Sequence, residues 1–340
     1  MVLKEKSFSK KTIIALIILI LGSSFLILSM AFSIAFGAAN IDLATVWQSV
    51  TSFDAGRTEH QIIHRLRMPR AVAAALVGAG LAVSGAIMQG MTRNPLASPS
   101  IMGVTAGATF MIALALAFVT SLSSLGLMLA AFIGAGVGAG LVFGIGSLSR
   151  NGLTPVKLAL AGSAITALLS SISSAIAIQF DVAKDLSFWY AGGVAGIQWA
   201  NVTPIIPVVL IGLIIAFMIS SSITVMSLGD DVATGLGQRT GLVKILGILA
   251  VLLLTGAAVS ISGTIGFVGL VIPHITRFLV GTDYRWILPC SAVLGGLLLV
   301  LADIAGRMVN PPFETPVGAI TALIGVPFFL YLARREGRGL

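Results

Sequence analysis

Long apolar runs separated by short polar segments dominate the chain, and their spacing predicts helices that cross a membrane. A helix needs about 20 mostly apolar residues to span the hydrocarbon core. On that scale the segments 12–36, 68–90, 98–119, 124–147, 156–178, 201–220, 242–262, 266–281, 286–308 and 315–333 predict ten spans, several interrupted by Pro or Gly, the eighth being the shortest. No polar surface domain separates them. The expected architecture is therefore one polytopic all-α domain over 12–333, with basic tails at 1–11 and 334–340 and one polar internal loop at about 221–241. The apolar run after Lys11 is too long for a secretory signal core and is followed by no clear small-residue cleavage site, so it predicts a retained first span.

Charge gives the spans a direction. Basic clusters stand at both ends, Lys4, Lys6, Lys10 and Lys11 at one and Arg334, Arg335 and Arg338 at the other, and the excess of Lys and Arg on the cytoplasmic side places both termini there. With an even number of crossings, Arg93, Arg150, Lys157, Arg239, Lys244, Arg277 and Arg285 join them inside, giving 14 of the 20 basic residues. Arg57, Arg65, Arg67, Arg70, Lys184 and Arg307 are left outside, against the rule.

Composition agrees with a bilayer as the solvent. Only 9% of the 340 residues are charged and 57% are apolar, against about a quarter and a half in soluble domains. The net charge of +8 sits in short connectors rather than on a basic face with interleaved aromatics, so it argues for topology and against nucleic-acid binding. Cys290 is the single cysteine, which excludes an intramolecular disulfide and leaves it a packing role. Among the 39 glycines, the pairs Gly103/Gly107, Gly134/Gly138, Gly136/Gly140 and Gly192/Gly196 have the small-xxx-small spacing that lets helix backbones approach closely in lipid. The run Gly134 to Gly140 lies in an apolar span and fits neither dinucleotide nor phosphate-loop spacing.

Four segments carry a functional signal when taken together. They are Arg67-Met-Pro-Arg70 with Ser84 to Gln89 and Asn94-Pro-Leu-Ala-Ser-Pro99, then Leu228 to Gly237, then Gly266 to Arg277 with Gly281 to Arg285, and lastly Ala302 to Arg307 with Glu314 to Gly318 and Gly325 to Phe328. In order and spacing, from about residue 60 to the C-terminus, they resemble the permease family of ABC importers for iron siderophores, haem and cobalamin. The resemblance implies a type II importer permease fold in the bacterial cell membrane and a non-catalytic transport subunit. It also implies partners: a pair of cytoplasmic ABC ATPase subunits, an extracytoplasmic substrate-binding protein and a second permease, either the same chain or a related one. No cofactor is expected on this chain, ATP and Mg being held by the partner ATPase.

The loop at 221–241 joins two apolar spans yet holds Asp230, Asp231, Gln238 and Arg239, and its residues permit a short interfacial helix pair. The chain has no GxxxxGK[ST] phosphate loop, so ATP energy must come from another chain, and a protruding polar helix suits docking to it. An ordinary solvated connector is the plainer alternative. The resemblance assigns ATPase coupling to Gly229, Asp230, Gly235 and Gly237, and binding-protein docking to Arg67, Arg70 and Arg307. Such charge pairing guides encounter and orientation more than affinity. Interfacial snorkelling or phosphate binding is the competing account of these arginines, and Asp303 can pair with Arg307 four residues on.

Asn94-Pro95-Leu96 reads as a helix terminator, and the resemblance adds an inner-gate role for Asn94 and Leu96. A second gate in the family has its counterpart at Thr154-Pro155-Val156 before Lys157, with a departure from the family's hydroxyl pattern. His274 has no second ligand residue at metal spacing, which favours packing and a cargo that brings its own chelator. Weak apolar and hydroxyl contacts suit a bulky passing complex, and Thr105, Thr109, Ser163, Thr166 and Ser170 are the pathway candidates. Haem or cobalamin remains the alternative cargo. An ion-coupled secondary transporter would place ionisable groups mid-membrane, where this chain is almost all apolar or small. HExxH and GxSxG signatures are absent, which argues against an intramembrane enzyme.

Overall fold

A computed structural model describes residues 10–36, 41–119, 121–147, 155–311 and 313–336. Among these residues the fold is all helix. In chain order the helices are α1 (Lys10–Ala35), α2 (Leu43–Thr51), α3 (Thr58–Thr92), α4 (Val104–Phe118), α5 (Ser124–Ser147), α6 (Pro155–Gln179), α7 (Ala183–Ala191), α8 (Trp199–Met218), α9 (Ser220–Met226), α10 (Asp230–Gly235), α11 (Thr240–Ser262), α12 (Val268–Val280), α13 (Tyr284–Met308) and α14 (Val317–Glu336). Seven are long and apolar enough to cross a membrane, and α4, α12 and α14 are shorter apolar helices, so each of the ten predicted spans has its helix.

Two starts differ from the expectation. The second span begins ten residues earlier, at Thr58, because the polar run Thr58–Arg67 continues helically through a π-turn at Ile63–Arg67. The third begins at Val104, after a 3-10 turn at Pro99–Met102, because Pro95 and Pro99 keep the preceding residues out of the α-helix.

α3 is the axis of the bundle. Of its most apolar stretch 78% is buried, against 11% for α1 at the periphery. Its neighbours α12 and α13 come close because glycines meet across the contacts, and α11 because Gly80 of α3 lies under the Leu254 carbonyl and Gly247 of α11 under Met91. A Cβ at Gly85 would collide with the Gly269 carbonyl of α12, and one at Gly78 with the Gly295 carbonyl of α13. The predicted pairs Gly103/Gly107 and Gly134/Gly138 do face each other, locking α4 and its preceding turn on α5. Gly136 and Gly140 point into open space instead, half a helical turn away. Gly192 and Gly196 correct the expectation: both are turn residues with φ of 63° and 70°, outside any helix pair.

The chain's alternation gives the bundle two faces. One, here the terminal face, carries the start of α1, the end of α14, α9, α10 and the α12–α13 junction. The opposite face carries α2, α7 and the α13–α14 connection. His274 packs edge-to-face on Phe328, ring centroids 5.7 Å apart, between α12 and α14.

Candidate functional site

On the opposite face, Asp303 sits near the end of α13 with a side chain only 1% exposed and receives two arginines. Arg70 Nε donates to both carboxylate oxygens at 3.0 and 3.1 Å, its Nη2 donates to Oδ1 at 2.8 Å, and its Nη1 donates to Glu314 Oε1 at 2.8 Å. Arg307 adds an ion pair of 3.3 Å to Asp303 Oδ2 and donates to the carbonyls of Ser33 and Phe36 at 3.0 and 2.8 Å. Arg67 donates to the carbonyls of Ile34 and Ala35, each at 2.7 Å. Arg67 and Arg307 thus close the open carbonyl end of α1, a favourable use of cations at a helix C-terminus, while Arg70 binds α3 to α13. The hydrogen bond from Arg70 holds the Glu314 carboxyl below the usual glutamate range.

Spacing within α13 revealed the Asp303–Arg307 pair, whereas Arg70 and Glu314, as Asp303's and Arg70's further partners, were missed. A single sequence carries no signal for a contact 233 residues apart.

At the terminal face, Gly229 opens α10 with φ of 129°, and Asp230 Oδ2 accepts from Lys244 Nζ of α11 at 2.8 Å. α9 and α10 form the short helix pair expected of the polar loop. Gly235 and Gly237 are exposed at its tip. Arg93 ends α3 in the left-handed conformation, φ 54°, and a Cβ at Gly229 would stand 3.5 Å from its Nη1, so the guanidinium is a neighbour of Gly229. The next residue, Asn94, accepts the backbone N–H of Leu96 at 2.9 Å, so the two gate candidates belong to one turn. A cavity of about 290 Å³ is lined by Met88, Asn94, Met102, Leu158 and Ser163, and a neighbouring one by Arg93, Asp230 and Lys244. Gate and coupling candidates therefore border adjoining spaces. Thr154 to Val156 lie outside the residues whose side chains are described.

Between these ends, Thr109 donates to the Thr105 carbonyl at 3.0 Å, and the Tyr190 hydroxyl lies beside the hydroxyls of Thr109 and Ser170. Burial pushes the Tyr190 hydroxyl above the usual phenol range. Two pathway candidates, Thr109 of α4 and Ser170 of α6, are thereby brought beside a tyrosine of α7 that the sequence did not single out, and Thr105 lies one turn from Thr109. Ser163 stands apart at the terminal-face cavity, and Thr166 is half-buried between the two.

A model of the FecCD transport family matches residues 25–335. The chain is 63% identical over 337 residues, 99% of its length and 88% of the relative's, to the iron(3+)-hydroxamate import system permease protein FhuB of Bacillus subtilis (strain 168). It is 50% identical over 321 residues to the iron-uptake system permease protein FeuB of the same organism, covering 94% of this chain and 96% of that one. A solved metal-chelate type ABC transporter in an inward-facing conformation superposes with a TM-score of 0.81 at 31% identity, covering 94% of this chain and 99% of that chain. With ten apolar helices in sequence order and a family match over nine-tenths of its length, this multi-pass membrane protein belongs to the FecCD transport family.

Proposed function

We propose that the chain is the transmembrane permease of an ABC importer carrying a ferric siderophore of the hydroxamate class into the cytoplasm. The observation that carries this reading is near-complete similarity, at 63% identity, to a relative named for ferric hydroxamate import. The terminal face is cytoplasmic and both tails lie there. α9 and α10, with Gly229, Asp230, Gly235 and Gly237, dock on a separate ATPase that holds ATP and Mg, and this chain performs no catalysis itself.

A substrate-binding protein docks on the opposite face, close to Arg67, Arg70 and Arg307. A second permease, identical or related, supplies the other half of the pathway. Thr105, Thr109, Ser163, Thr166 and Ser170 line this chain's half, and Asn94 with Leu96 forms the inner gate. Geometry supports such a path: hydroxyls and apolar groups make weak contacts that let a bulky chelate leave as well as enter. Movement of α10 reaches the gate through Arg93, whose guanidinium neighbours Gly229 and which directly precedes Asn94.

The test is uptake of radiolabelled ferric hydroxamates, ferric catecholates, ferric citrate, haem and cobalamin under iron limitation, in cells with and without the gene. Loss of ferric hydroxamate uptake alone is the expected result. Loss of haem or cobalamin uptake instead reassigns the cargo, and unchanged uptake of all five in a strain with no second importer removes the proposal.

A further inference from the structure

α2 has no place among the spans, and its surface is unusual. Leu43, Trp47 and Val50 recur at i, i+4 and i+7, so they share one helical face. They are 55%, 70% and 53% exposed, whereas Val46 and Ser49 on the other side are 7% and 0% exposed. The buried side rests on Ile34, Ala35, Ile63 and Ala71 of α1 and α3. The helix is anchored further where His64 Nε2 bonds the Ser49 carbonyl at 2.7 Å and Arg57 donates to Gln48 at 3.2 Å. Leu43–Thr51 contains no charged residue.

We infer that α2 lies in the plane of the membrane, with Leu43, Trp47 and Val50 set among the headgroups and first acyl carbons of the leaflet at the opposite face. The covering partner follows from continuity. α1, against which α2 packs, is the most exposed of the long helices and presents Ile20, Leu21, Ile27, Leu28, Phe32 and Phe36 outward. In a membrane protein that surface is bathed in lipid, and the α2 stripe carries it on past the end of α1. Tryptophan is enriched at this depth because its ring is apolar while its N–H needs a polar partner. Polar Gln48 and Thr51 flank the stripe, and the exposed Arg57 lies beyond them, the order required of a helix lying on a lipid surface. The consequence is that the flank of α2 is closed to soluble partners.

The test uses single cysteines placed at Leu43→Cys, Trp47→Cys, Val50→Cys and, as the polar-side control, Gln48→Cys, in the full chain. Cys290 is 0% exposed, so a thiol-reactive nitroxide modifies only the new site. Each exposed position tolerates the substitution independently, so failure of one variant leaves the others readable. In phosphatidylcholine vesicles, labels at 43, 47 and 50 should meet molecular oxygen several-fold more readily than a water-soluble nickel chelate, with the ratio lower at 48. A nickel chelate that reaches all three more readily than oxygen overturns the inference, as does immobilisation of water-exposed labels on addition of a substrate-binding protein, which would make the stripe a docking face.

Discussion

Asp303 is the residue on which the opposite face depends, because its carboxylate, 1% exposed, pairs with both Arg70 and Arg307, with Glu314 as Arg70's second partner. Removing one member of a buried ionic cluster costs about 3–5 kcal/mol, since the charges left behind lose their partner. Asp303→Asn should therefore lower the thermal midpoint of the purified protein sharply, and tryptophan fluorescence on heating would register it. The same geometry changes how docking is tested. Arg70→Glu would place three carboxylates together, and Arg67→Glu would uncap α1, so slower docking in either variant would report lost structure as readily as lost recognition.

Glu314 is 44% exposed and offers a gentler probe of the same cluster. Its folded-state pKa is depressed, so the stability it adds through Arg70 is present above the ordinary glutamate value of about 4.3 and is lost as pH falls through the lower folded value. Wild type and Glu314→Gln should differ in melting midpoint by the same small amount at pH 7 and pH 5 and converge only below about pH 4. No difference between the two already at pH 7 would mean that the pair does not hold in solution.

Among the elements, the spans were legible because the bilayer imposes one simple demand, a long apolar run with every backbone group bonded internally. α2 and the first ten residues of α3 were not. LATVWQSVT is short and mixed, and THE run TEHQIIHRLR is too polar to register as the start of a span, so tertiary packing decides both. Glycine spacing told which residues are small but not which way they face. Gly136 and Gly85 separate the two cases. Gly85→Ala meets the Gly269 backbone and should cost about 1–3 kcal/mol or more, because neither helix can retreat without opening the core. Gly136→Ala meets nothing within 4 Å and should be neutral or stabilising by up to about 1 kcal/mol through helix propensity. Thermal midpoints of the two variants, measured side by side, check the distinction between a packed and an unpacked glycine in the same bundle.

For the whole molecule, the proposed transport by alternating access needs an input at the terminal face to reach the proposed pathway, and the connection there is short. Gly229, just before α10, neighbours the Arg93 guanidinium, Arg93 continues into the Asn94–Leu96 turn, and Asp230 is tied to α11 by Lys244. The proposed input surface is best probed at Asp231 rather than Asp230, because Asp230 also holds that internal pair whereas Asp231 is exposed in the first turn of α10. Asp231→Lys should weaken co-purification with the ATPase subunit and lower coupled uptake while leaving the amount of protein in the membrane unchanged. Asp230→Lys should do the same and also lower the thermal midpoint slightly, since its ion pair is partly exposed and such pairs contribute about 1 kcal/mol or less. Raising salt should narrow the gap between wild type and Asp231→Lys if the contact is electrostatic. Full ATPase retention and full uptake in Asp231→Lys would instead make α10 a connector whose charges serve only solvation, and the energy input would have to enter elsewhere on that face.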